Sequence, residues 1–302
     1  MILELPGTTT GQINKELVRV RREGGAVTLG RVMTLVIDAD GADLEDAIDT
    51  ANYASREHPC RIVVLAPRDD DDPRLDAEIR VGGDAGASEV VVLRPGGEMA
   101  DHVDTLVIPL LLPDAPIVGW WPASVPDCCG TTGVGTMAAR RITDTKGEPD
   151  PVATLKRLAK SYRPGSTDLA WTRLTRWRAL LAAALEQVED TEVTRVRIHG
   201  DLGSPSILLL GAWLQMALGC EFEATYSPEA RGLESVVLDT AAGSIEIERA
   251  DGHNATIRQP GQPDHQIALP PRTLNDCMAE ELRRLDDDEI YGEVLGFFGA
   301  NA

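Results

Sequence analysis

Few residues in this sequence have the types and spacing that chemistry requires. The five histidines, His58, His102, His199, His253 and His265, form no i, i+4 pair on a helical run, and no H-E-x-x-H occurs. A structural zinc needs four converging ligands, so no metal is expected. The cysteines are Cys60, Cys128, Cys129, Cys220 and Cys277, an odd number with no C-x-x-C, which predicts no disulfide framework and fits a reducing cytosol. Cys128 and Cys129 lie in a Gly/Pro-rich stretch and are expected to be accessible thiols open to oxidation, although adjacent cysteines rarely meet disulfide geometry. Cys60 is a third thiol to consider, but it opens an apolar strand, where cysteine usually serves as a small buried hydrophobe. No G-x-S-x-G nucleophile elbow is present.

Phosphate sites fare little better. The run from Gly130 through Gly135 is glycine-rich but lacks the Lys of a P-loop. Gly200, Gly203 and Ser204 sit between a predicted strand and a helix opening at Pro205, where free N–H groups and the helix dipole attract anions. Asp201 puts a negative charge there, and the third Gly of the dinucleotide fingerprint is missing. No cofactor is expected.

Charge is informative. The 302 residues carry a formal net charge of −20, which disfavours polyanionic partners and anionic membranes. Between Arg140 and Arg178 there are ten basic and four acidic residues, a local +6 that leaves −26 for the rest. This stretch, with Arg140, Arg141, Arg173 and Arg176, is the expected docking surface for an acidic partner. Trp120-Trp121 ends a predicted strand, where neighbouring side chains point to opposite faces. Either one lies in the core and the other at a partner interface, or both are buried between helix layers.

The elements that must carry these residues follow from periodicity. Helices are predicted over residues 10–24, 42–56 and 101–112, and strands over 32–37, 60–66, 75–81, 89–93 and 116–122. The 75–81 strand alternates as an edge or half-buried strand would. Alternating helices and strands predict a parallel or mixed sheet with flanking helices, Rossmann-like without a dinucleotide fingerprint, in a domain of residues 1–125. Residues 126–167 read as a long connection with one short helix, between about 152 and 159. Residues 168–302 form a second α/β lobe: helices at 168–189 and 205–218, strands at 193–198, 221–226, 234–239, 244–248, 255–258 and 266–269, and two closing helices. The short gaps after residue 221 predict an antiparallel meander. Pro and Asp interrupt the most apolar stretch, 103–121, so no membrane span is expected. The N-terminus shows no basic segment followed by an apolar run, so no secretory signal is expected.

Four blocks carry a resemblance: His58-Pro-Cys-Arg-Ile62, Pro113-Asp-Ala-Pro-Ile-Val-Gly-Trp-Trp-Pro122, Arg140-Arg-Ile-Thr-Asp144 and Asp168-Leu-Ala-Trp-Thr-Arg-Leu-Thr-Arg-Trp-Arg178. Their order and spacing resemble the glucose-6-phosphate dehydrogenase assembly protein family (OpcA) over about residues 30–295. The resemblance implies a cytoplasmic, non-catalytic accessory protein that binds glucose-6-phosphate dehydrogenase, promotes its active oligomer and modulates its activity in the oxidative pentose phosphate pathway. Some family members are thought to respond to thiol redox state. The excess of 25 Arg over 4 Lys fits a GC-rich actinobacterial member. The alternative is a sensor or enzyme for a phosphosugar, with its anion site at Gly200, Gly203 and Ser204.

Overall fold

A computed structural model describes residues 1–23, 30–40, 42–82, 89–131, 133–188, 192–201, 203–230 and 232–301. Gly24, Thr132, Glu189 and Leu202, which fall within the predicted segments, lie outside the described residues. The chain divides into two units. The first comprises Met1–Gly147, Arg163–Thr167 and Leu274–Asp288; the second comprises Glu148–Tyr162, Asp168–Thr273 and Glu289–Ala302.

The first unit is built on eight strands: β1 (Ile2–Leu5), β2 (Met33–Asp38), β3 (Cys60–Leu65), β4 (Leu75–Arg80), β5 (Glu89–Pro95), β6 (Ile117–Trp121), β7 (Arg140–Thr143) and β8 (Ser166–Asp168). Their order is β1-β4-β5-β3-β2-β6-β7-β8. β5, β3, β2, β6 and β7 pair in parallel, and β4 and β1 extend the sheet antiparallel. β2, β3 and β5 are near-continuous apolar runs because both faces are covered. On one face, Val36, Val63, Leu65, Val91 and Leu93 pack with Ile13 and Leu17 of helix α1 (Thr10–Glu23) and with Leu106 and Val107 of α3 (Val103–Val107). Helices α2 (Leu44–Ala54) and α9 (Leu274–Arg283) pack on each other within the same unit.

Two expectations change here. Residues 126–167 are more than a connection, because they contribute β7, β8, helix α4 (Gly133–Met137) and helix α5 (Pro151–Ser161). β4 is not an edge, since β1 lies outside it with Leu3 opposite Ile79.

The second unit has a six-stranded sheet in the order β10-β9-β11-β12-β13-β14. Its strands are β9 (Val193–Asp201), β10 (Glu221–Ser227), β11 (Leu233–Thr240), β12 (Gly243–Glu248), β13 (Asn254–Arg258) and β14 (His265–Ala268). β11 to β14 form the expected antiparallel meander, but β10 runs parallel to β9 on its other side. Helix α8 (Pro205–Leu218), which joins β9 to β10, makes that crossover. The predicted 168–189 helix is broken: α6 (Leu169–Thr172) ends before α7 (Thr175–Glu186) begins. The core joins Val196, Ile198, Val236, Leu238, Ile245 and Ile247 of the sheet to Trp171, Trp177 and Leu181, to α8, and to Tyr291, Val294 and Leu295 of α10 (Glu289–Asn301).

Candidate functional site

In the first unit the chain runs from β2 to strands on one side of it and returns through β6 on the other, so the C-terminal ends of β2 and β6 flank the topological switch point, the usual ligand crevice of such sheets. Trp120 and Trp121 end β6 there, opposite Ile37 and next to Asp38. Both indoles are buried, at 0% and 3% exposure, so the reading that puts one at an interface is corrected. The neighbouring glycines give the reason. Gly119 lies two residues before Trp121, on the same face, and a Cβ there would meet the Trp121 ring at 2.9 Å. A Cβ on Gly135 of α4 would also reach that ring, at 3.4 Å, besides colliding with the Cys129 carbonyl. The outer edge of the indole therefore lies against two glycines, and its N–H donates to the Asp38 carboxylate. Burial pushes the Asp38 carboxyl above its usual range, while the backbone N–H of Asp40 and the Trp121 bond pull the other way.

A phosphate-binding loop in this fold would lie between β2 and α2. Here that segment contains Asp38, Asp40 and Asp43, and the Asp43 carboxylate accepts the N–H groups of Glu45 and Asp46, both at 3.0 Å. The helix N-terminus that would receive a pyrophosphate is capped by the protein's own carboxylate.

Arg140 and Arg141 are 3% and 8% exposed, which removes them from any docking surface. Arg140 bonds Thr167 Oγ1 at 2.7 Å and the Glu281 carboxylate of α9 at 2.5 Å. Arg141 donates to the carbonyls of Gly135, Ala138 and Pro164 and to the Ser166 hydroxyl. These two guanidiniums fix β7 within its own unit. Of the other predicted arginines, Arg173 is half-buried at the end of α6, and Arg176 is exposed on α7. In the same block Asp168 caps α6 through the Ala170 N–H at 2.9 Å, and Arg178 stacks over Trp171 at 3.7 Å. The block's conspicuous residues thus serve packing and capping.

The thiols separate into two kinds. Cys60 and Cys129 are buried, at 0% and 4% exposure, which corrects the expectation that the vicinal pair is accessible as a pair. Cys128 is half-buried. The Thr131 hydroxyl, backbone N–H groups and the nearby Arg163 guanidinium hold its thiol below the ordinary range. Among the described residues no group of three or more His, Cys, Asp and Glu is arranged to hold a metal ion, and no helix is long and apolar enough to cross a membrane.

The glycines of the expected anion site have backbone explanations. A Cβ on Gly200 would strike the Gly232 carbonyl at 2.3 Å, so this glycine permits the close approach of the β11 segment. Gly203 has φ of +79°. Ser204 precedes α8 without capping it through its side chain.

The sequence did not advertise the outer face of the second sheet. With Val196, Ile198, Val236, Leu238, Ile245 and Ile247 turned to the core, the alternating positions point away from it. Arg195 pairs with Glu221 at 3.1 Å, Arg197 with Asp239 at 2.8 Å, and Arg258 with Glu248 at 2.8 Å. Glu223 stands opposite Arg197, and Glu246 lies 3.3 Å from Arg258. These side chains are exposed or half-buried, and acids outnumber the arginines among them, with Asp264 also 3.5 Å from Arg258.

Comparison with known proteins adds sequence and fold relationships. Residues 51–160 match the family described as glucose-6-phosphate dehydrogenase subunit N-terminal domain, and residues 164–295 match its C-terminal domain. A Synechococcus elongatus protein named as OxPP cycle protein OpcA is 30% identical over 269 residues, covering 84% of this chain and 58% of the relative. Its Synechocystis counterpart is 26% identical, covering 63% of this chain and 42% of the relative. The chain thus spans about half the length of the curated relatives it matches. Among solved structures, KijD10, a 3-ketoreductase from Actinomadura kijaniata, superposes with a TM-score of 0.51 at 8% identity, covering 88% of this chain and 94% of that one. At that identity the likeness is one of fold.

Proposed function

Because the chain belongs to the glucose-6-phosphate dehydrogenase subunit (OpcA) family, we propose that it is a non-catalytic accessory protein of glucose-6-phosphate dehydrogenase. In this reading it binds the dehydrogenase, promotes the active oligomer and modulates activity, and so supports NADPH supply in the oxidative pentose phosphate pathway of the cytoplasm. The observation that carries the reading is the pair of family matches, in N-terminal then C-terminal order, over 51–160 and 164–295. The acidic segment before α2 supports a role without a dinucleotide, since Asp43 takes the N–H groups that a pyrophosphate would need.

We infer that docking uses the outer face of the second sheet. Its arginines are already committed to Glu221, Asp239 and Glu248, so the surplus acids Glu223 and Glu246 call for a basic patch on the dehydrogenase. The test is sedimentation velocity and initial-rate measurement on a mixture of this chain with the glucose-6-phosphate dehydrogenase of its own source. The expected result is a faster-sedimenting complex with an altered rate. Glu223→Lys with Glu246→Lys should weaken it at least tenfold, with a flatter salt dependence. Separate sedimentation with no change in rate refutes the accessory role. A complex indifferent to the double substitution refutes the docking face alone.

A further inference from the structure

At the N-terminal ends of β3 and β5, on the edge of the sheet away from the switch point, three arginines converge on one carboxylate. Glu89, the first residue of β5, is 1% exposed in its side chain. Its two oxygens accept Arg21 Nε at 2.8 Å and Arg21 Nη2 at 2.7 Å, a bidentate pair, and Arg61 Nε reaches the second oxygen at 3.0 Å. Arg61 also donates to the Leu110 carbonyl through Nη1. Arg31, just before β2, comes no closer than 3.8 Å to Glu89. Among the described residues Arg31 makes no hydrogen bond, and its Nε is buried without a partner.

The electrostatics are one-sided. Among the described residues three positive charges meet one negative charge, in side chains 31%, 19% and 5% exposed for Arg21, Arg31 and Arg61. The Arg61 guanidinium is pulled below its ordinary value first by burial, and also by repulsion from Arg21 and Arg31, against the attraction of Glu89. A half-buried surplus of about +2 is costly where, among the described residues, the return is one carboxylate. Structural clips need one cation per carboxylate; convergent arginines with an idle planar fork match the oxygens of a phosphate.

We propose that Arg31 and Arg21, seated on the Glu89–Arg61 pair, form a binding site for the dianionic phosphate group of a small metabolite. Arg61 and Glu89 are positioning residues, and Arg31 supplies the unused donors. This inference is independent of the accessory role, because it concerns a different edge of a different unit.

The test is isothermal titration of the full chain with inorganic phosphate and, in a parallel arm, a hexose phosphate, both against sodium chloride of matched ionic strength. The expected result is saturable binding by the wild type that strengthens as each probe takes its second charge, at about pH 6 for the hexose phosphate, a phosphate monoester, and about one unit higher for inorganic phosphate. Arg31→Gln should lose at least tenfold in affinity with no fall in melting temperature, since among the described residues Arg31 makes no hydrogen bond to lose and its charge adds to the repulsion on Arg61, and Arg31→Lys should recover part of the affinity. Equal affinity for both probes identifies the phosphate group alone as the ligand; tighter hexose phosphate binding adds contacts to the sugar. The proposal is overturned if neither probe binds above the chloride control, or if Arg31→Gln binds as the wild type does.

Discussion

Replacing Arg140 by alanine tests whether this arginine belongs to the fold or to a surface. The guanidinium is 3% exposed and its partner Glu281 is 7% exposed, so solvent screens neither. Removing one member of a buried pair leaves the other charge uncompensated, which costs about 3–5 kcal/mol. For a unit of this size that is a fall of roughly 6–20 °C in melting temperature. Arg140→Met combined with Glu281→Leu removes both charges and should recover about 1–3 kcal/mol relative to the sum of the single variants. The assay is urea denaturation followed by the emission of the buried tryptophans, at low salt and at 1 M sodium chloride. Because the pair is buried, salt should leave the loss nearly unchanged. An Arg140→Ala protein within about 0.5 kcal/mol of wild type, the range of ordinary surface substitutions, would refute this reasoning, as would strict additivity of the two changes.

Further outcomes follow from the same structure. Gly119→Ala should displace the Trp121 indole and cost about 1–3 kcal/mol, read as a shifted emission maximum and a lower urea midpoint. Asp38 has a raised pKa, so its folded form holds a proton that the unfolded chain has already released; stability should therefore fall as pH rises from about 4 through the folded value. Asp38→Asn should remove that slope in denaturation curves taken between pH 4 and 7. Alkylation of the native protein at pH 7 should reach Cys128 first, with Cys60, Cys129 and Cys277 modified only after denaturation, as peptide mass spectrometry would resolve. Titration with NADPH should leave the tryptophan emission unchanged, because the α2 N-terminus is already capped by Asp43.

What the sequence made legible tracks burial on both faces. β2, β3 and β5 are unbroken apolar runs and were readable as strands, and α8 announced itself through Pro205 at its start and Gly219 at its end, the latter at φ of +64°. β7 was not readable, because Arg140-Arg-Ile-Thr143 looks like a charged surface until Glu281, 141 residues later, supplies the counter-charge. β1 and β8 are short and take their meaning from the strands they pair with. The Trp120-Trp121 pair could not be decided for a similar reason: alternation assigns the two indoles to opposite faces, and it is α4 with its Gly135 that covers the face of Trp121. The second sheet's outer face gave no signal beyond alternating acids and bases, which read as ordinary solvated strand surface until the register put Arg195 between Glu221 and Asp239, with Arg197 reaching Asp239 diagonally.

The buried carboxylate of Glu281 also sets an order on synthesis. The first unit draws α9 from residues 274–283, after more than a hundred residues that belong to the second. While the ribosome is still making those residues, β7 already exists with Arg140 but without its counter-ion, and α2 lacks the helix that packs on it. The first half of the chain must therefore wait, incompletely closed, until residues 274–288 emerge. A nascent chain truncated at residue 273 should be protease-sensitive in its N-terminal half, although every strand of the first sheet has been made.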